Sequence, residues 1–131
     1  MSLLNCQDAT RLHDFCLKVS ETLGVTFTGV INKNGRLIAG GFSQNNHPYE
    51  KEELSMIFLE LYLDYSMRKE FDSVLGKIRY MTTLRKHINV TTIPFKDELI
   101  LIFSKPSTNI KEVVEKTNAI FDNFFNNQVL S

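Results

Sequence analysis

The sequence predicts an α+β fold: a five-stranded antiparallel sheet in the order 2-1-5-4-3, with helices on both faces, built α-β-β-α-β-β-β-α. Three observations predict it. Helical and strand-like periodicities follow one another in that order, two strands ahead of a long helical stretch and three behind it. The segment LILIF, Leu99 to Phe103, is apolar at every position, as a central strand covered on both faces requires. The stretch over residues 49–67, YEKEELSMIFLELYLDYSM, carries apolar residues on nearly every azimuth of a helix. Its sheet supplies one cover, and a second layer, a ligand or another subunit must supply the other. A two-strand and a three-strand meander joined by this crossover helix set LILIF beside the first strand in mid-sheet. The first and last helices then share one face and the crossover helix takes the other.

The elements follow in order. A first helix is expected over residues 8–23, with Leu12, Phe15, Cys16, Val19 and Leu23 on one face and Arg11, Asp14, Lys18 and Glu21 outside. Asp8 or Thr10 is its expected N-cap and Gly24 its terminator. VTFTGVI, residues 25–31, is β-branched and aromatic, and Asn34-Gly35 predicts a type I′ hairpin turn into a return strand over 36–42. Gly40 and Gly41 weaken that strand's end, marking either a bulge or a close backbone approach.

A polar loop over 43–48 leads into the central helix, whose first turn holds Glu50, Glu52 and Glu53 and whose far end holds Arg68 and Lys69, as the helix dipole favours. Leu54, Ile57, Phe58, Leu61 and Tyr65 form the stripe for the sheet, leaving Met56, Leu59, Tyr62 and Leu63 in surplus. After Gly76, residues 77–85 alternate, with Ile78, Tyr80, Thr82 and Leu84 on a dry face and Lys77, Arg79, Met81, Thr83 and Arg85 on a wet one. Lys86-His87 connects to a strand over 88–95 that Pro94 brings to a stop, and Lys96, Asp97 and Glu98 turn into LILIF. Asn109 with Glu112 starts a last helix in capping-box fashion, with Ile110, Val113, Val114, Thr117, Ile120, Phe121, Phe124 and Phe125 as its stripe. The tail over 126–131 is expected to fray.

Composition narrows the function classes. At 131 residues and 43% hydrophobic content, the chain is expected to form a single domain, residues 1–131, with an ordered core over about 8–126. Fifteen Lys plus Arg balance fifteen Asp plus Glu, so no global field draws in nucleic acid or an anionic membrane. Tyr80 alternates away from Lys77 and Arg79, which removes the stacking platform of single-strand binders. The first residues carry no basic region leading into a long apolar run, and the expectation is a cytoplasmic protein without a membrane span.

Cys6 and Cys16 with His13 lack a second ligand pair at zinc spacing, so neither metal nor cofactor is expected. Cys16, His13 and Asp14 hold the residue types of a nucleophilic site, yet close neighbours on one helix diverge. His47 and His87 fall in expected turns, and the glycines near residue 40 lie in a hairpin rather than at a helix N-terminus. No enzymatic activity is expected.

The segment GVINKNGRLIAGG, residues 29–41, together with the order of elements, resembles the roadblock family of dynein light chain-like proteins, which have a profilin-like fold. The strand, the polar turn with Gly and the strand ending in small residues carry the resemblance; Asn32 stands where many members have an acidic residue. The spacing of FTGVINKNGRLIAGGF, the helix and GKIRYMTTLRKHINVTTIPF is also similar to an uncharacterised archaeal family. The roadblock resemblance implies a homodimer in which third strands pair edge to edge and central helices pack together, and a protein partner such as a small GTPase. It implies no catalytic residues.

Charge agrees with association: residues 49–64 hold five acids against one Lys, and residues 68–87 hold six bases against two acids. The expected function is a non-enzymatic homodimeric scaffold or regulatory module, with Met56, Leu59, Tyr62, Leu63, Arg79, Met81 and Thr83 at the dimer interface. The alternative is a small-molecule sensor with a pocket between sheet and central helix near Gly40, Gly41 and Phe42.

Overall fold

A computed structural model describes residues 6–126. Helix α1 (Cys6–Val19) precedes strands β1 (Val25–Ile31) and β2 (Leu37–Phe42). Helix α2 (Lys51–Lys69) and a short helix α3 (Asp72–Leu75) cross over to β3 (Met81–Leu84), β4 (Asn89–Phe95) and β5 (Glu98–Ser104), and α4 (Ile110–Phe121) follows. The sheet order is β2-β1-β5-β4-β3 and every pairing is antiparallel, as expected. Strand β5 is buried along its whole length between β1 and β4, which is where an all-apolar strand must go.

Two cores lie on the two faces. Leu12, Phe15, Cys16 and Val19 of α1 and Val113 and Val114 of α4 pack with Val30, Ile100 and Ile102. On the other face Phe58 and Tyr65 of α2 meet Phe27, Ile31, Leu99, Leu101 and Phe103. Asn109 Oδ1 accepts the Glu112 N–H at 3.2 Å, the expected cap. Beyond Phe121 the helix widens into one π turn, Asp122–Asn126, and Phe121, Phe124 and Phe125 gather round Phe15 at centroid distances of 5.7, 6.1 and 5.8 Å. Residues 127–131, where fraying was expected, lie outside the described residues.

Several boundaries differ from the sequence reading. Helix α1 ends at Val19: Glu21 N–H bonds Lys18 O and Thr22 N–H bonds Val19 O, so the chain tightens into three-residue turns. Leu23, expected on the core face, is therefore 90% exposed. Asp8 and Thr10, the expected caps, lie inside the helix. The hairpin after β1 is a three-residue connection rather than type I′. Asn32 N–H bonds Arg36 O at 3.0 Å, Gly35 N–H bonds Asn32 O at 2.9 Å, and Gly35 has φ 75° whereas Asn34 is not among the positive-φ residues. The Asn32 side chain accepts the Asn34 and Arg36 N–H groups at 2.9 and 3.1 Å, which favours this turn over the mirror-image one.

The third strand is shorter than its alternation suggested. Residues 77–80 lie outside the ladder, so their faces are not tied to the strand's parity. Ile78 and Met81 pack beneath α2, Tyr80 packs on the opposite face, and Leu84 stands exposed at the sheet edge; the expected dry and wet faces do not hold. Glu98, expected in a turn, pairs with Phe95 and is buried at the start of β5, leaving Lys96-Asp97 as the two-residue turn.

Candidate functional site

The central helix begins at the N-cap Glu50, whose N–H is accepted by Glu53 Oε1 at 3.1 Å. Glu52 and Glu53 in its first turn and Arg68 and Lys69 in its last match the helix dipole. Only Phe58 and Tyr65 are buried, while Leu54, Ile57, Leu61 and Tyr62 are partly so. Met56 (72% exposed), Leu59 (42%), Leu63 (52%) and Met67 (67%) recur at intervals of three and four and form one outward apolar row. Phe71, Val74 and Leu75 extend the exposed apolar surface through α3.

Tyr62 is set apart from that row: its hydroxyl donates to the Asp97 carbonyl at 2.6 Å, across to the β4–β5 turn. Burial, with smaller contributions from Tyr65, Asp97 and Glu98, pushes its phenol above the usual tyrosine value. Of the other interface candidates, Arg79 and Thr83 are exposed and Met81 is tucked beneath α2. Strand β3 is the sheet's edge, paired on one side with β4, where Thr82 and Thr91 hydroxyls meet at 2.9 Å.

The hairpin turn after β1 approaches helix α2 closely at Leu59. A Cβ on Gly35 would stand 2.5 Å from Leu59 Cα and 2.8 Å from Leu59 N, so the turn's backbone abuts the helix backbone. Sequence reasoning took Asn34-Gly35 for turn chemistry alone and missed this contact. It also missed Met67, Phe71, Val74 and Leu75; their signal was the four-residue spacing running on from Leu59 through Leu63 and Met67 to Phe71.

Gly40, Gly41 and Phe42 meet different surroundings. Gly40, at φ 86°, faces α1: a Cβ there would overlap the Thr28 carbonyl oxygen and stand 2.7 Å from Gly29 Cα and 3.0 Å from Cys16 Sγ. A close backbone approach thus explains this glycine. Gly41 has open space about it. Phe42 points to the α2 face and stacks on His47, with centroids 3.9 Å apart and rings at 17°, and the Tyr49 N–H bonds His47 Nδ1 at 3.3 Å.

A cavity of about 370 Å³ lies between α2 and the β3–β4 hairpin. Ile57, Glu60 and Leu61 line it from the helix, Thr83 and Arg85 from the end of β3, and Ile88, Val90, Phe103 and Tyr49 complete it.

The nucleophile candidates are not brought together. Cys16 is buried, and burial pushes its thiol up to about 12, whereas His13 and Asp14 are exposed. Among the described residues no group of three or more His, Cys, Asp or Glu side chains is placed to hold a metal ion, and no helix is long and apolar enough to cross a membrane. The side chain of Cys6 lies outside the described set.

The fold is that of roadblock domains. A roadblock/LC7 domain from Streptomyces avermitilis is 6% identical, with a TM-score of 0.68 over 92% of this chain and 98% of that one. The gliding protein MglB from Thermus thermophilus is 8% identical, with a TM-score of 0.73 over 95% and 94%. An MglB structure with a tetrameric arrangement is 10% identical, with a TM-score of 0.69 over 95% and 97%. Curated proteins give no match. A family profile matches residues 9–129, and the chain belongs to that family, the family of unknown function DUF6659.

Proposed function

We propose that this chain is a non-enzymatic homodimeric scaffold or regulatory module of one domain, in which a second copy covers the outer face of α2 and the free edge of β3. The observation that carries this reading is the exposed row Met56, Leu59, Leu63 and Met67, prolonged by Phe71, Val74 and Leu75. Exposed apolar side chains in such number are costly to hydrate, and a self-complementary mate removes them from water. Antiparallel α2 helices across a twofold axis would lay the acidic first turn, Glu52 and Glu53, over the partner's Arg68 and the partner's Lys69. Charge then sets the orientation and steers association while the apolar row supplies the affinity. Met81 and Thr83 of β3 and Arg79 just before it, with Tyr62, flank the contact, and edge-to-edge pairing of β3 would satisfy its free backbone groups.

The tetrameric arrangement of an MglB of the same fold supports self-association of this architecture. The resemblance to roadblock proteins supports a further protein partner of the small GTPase or signalling kind, met in the cytoplasm. Sedimentation equilibrium of the full chain at micromolar concentration tests the reading: a dimer mass is expected, and a stable monomer would overturn it.

A further inference from the structure

The cavity between α2 and the β3–β4 hairpin shares Thr83 with the proposed contact between copies, but its two charged side chains, Glu60 and Arg85, are not assigned to that contact. Its floor is apolar, formed by Ile57, Leu61, Val90 and Phe103, and its volume of about 370 Å³ suits a small metabolite. Two opposite charges line it, Glu60 from the helix and Arg85 from the end of β3. They do not pair with each other, and neither has an ion-pair partner among the described residues. Arg85 springs from a fixed point, since its N–H bonds the Ile88 carbonyl at 3.2 Å where the hairpin closes. Lys86 and His87, the neighbouring charged or titratable groups of that turn, are exposed.

We propose that this cavity binds a free α-amino acid with a large apolar side chain, its carboxylate on Arg85, its ammonium on Glu60 and its side chain on the apolar floor. An acid and a base set apart over one apolar cavity select a zwitterion against either singly charged analogue. A carboxylate without the ammonium meets the unneutralised Glu60, and an amine without the carboxylate meets Arg85. The proposal uses residues of one chain only and does not rest on the dimer.

Titration calorimetry on the full chain with L-phenylalanine and L-leucine as probes tests it, with 3-phenylpropanoate and 2-phenylethylamine as the singly charged controls. Saturable binding of the amino acids is expected, weakened roughly tenfold or more for each control and in each of Arg85→Gln and Glu60→Gln, as loss of a charge-assisted contact implies. Both side chains are exposed, so the variants should melt as the parent does. No saturable binding at millimolar amino acid, equal binding of either control, or binding unchanged in both variants would overturn the proposal. Sedimentation of the same samples reads the oligomeric state separately, so failure here and failure of the dimer are distinguishable.

Discussion

Replacing Gly40 with Ala, beside Gly41 with Ala as a matched control, tests the packing of β2 against β1 and α1. At Gly40 two costs add. An L side chain at φ 86° is disfavoured by about 1–2 kcal/mol. The new methyl would also overlap the Thr28 carbonyl oxygen and sit 2.7 Å from Gly29 Cα, contacts that backbone cannot relieve without parting the strands. Overpacking of this kind costs about 1–3 kcal/mol, so the total is roughly 2–5 kcal/mol. At Gly41 a methyl meets nothing within 4 Å, and the change should stay within about 0.5 kcal/mol. Urea unfolding at one fixed protein concentration reads the difference, because association shifts apparent stability. With an m-value near about 2 kcal/mol/M, the Gly40→Ala midpoint should fall by about 1–2.5 M while Gly41→Ala barely moves. Equal midpoints for the two variants would refute the close approach at Gly40.

Two further predictions concern titration. The native state holds the Cys16 thiol proton up to about 12, whereas the ordinary value is 9.0, so this contribution to stability is full below pH 9 and lost as pH rises through 12. Stability of Cys16→Ala, followed by urea midpoints across that range in a Cys6→Ser background, should decline less steeply than that of the background alone. Tyr62→Phe should cost about 1 kcal/mol through the lost bond to the Asp97 carbonyl. Because the native phenol titrates above its ordinary 10.0, wild type should lose stability as pH rises past 10 through the native value, and the Phe variant should lack that part of the decline.

The sheet was legible because its signals were local and mutually consistent: the Asn34-Gly35 hairpin, the all-apolar LILIF strand and the Asn109–Glu112 cap each fix an element without reference to distant residues. The surplus apolar face of α2 was legible for the same reason, since periodicity alone separates Leu59 and Leu63 from Phe58 and Tyr65. Tertiary contacts were not. That Gly35 abuts Leu59 and Gly40 abuts Cys16 depends on the height at which helices cross the sheet, which periodicity does not encode. The parity of residues 77–85 misled because only Met81–Leu84 is paired, and a chain outside the ladder is free to rotate its faces. The cavity arose from one such crossing, joining Glu60 with Arg85 from segments that no sequence motif links.

The central claim is that the outer row of α2 is a contact between two copies. Leu59→Glu with Leu63→Glu places two charges in that row, where the parent side chains are exposed and little native packing is lost. The double variant and wild type are compared by sedimentation equilibrium, with a cooperative melt confirming that each is folded. A wild-type dimer and a folded, monomeric variant are the predicted result; a monomeric wild type, or a folded variant that remains dimeric, would contradict it.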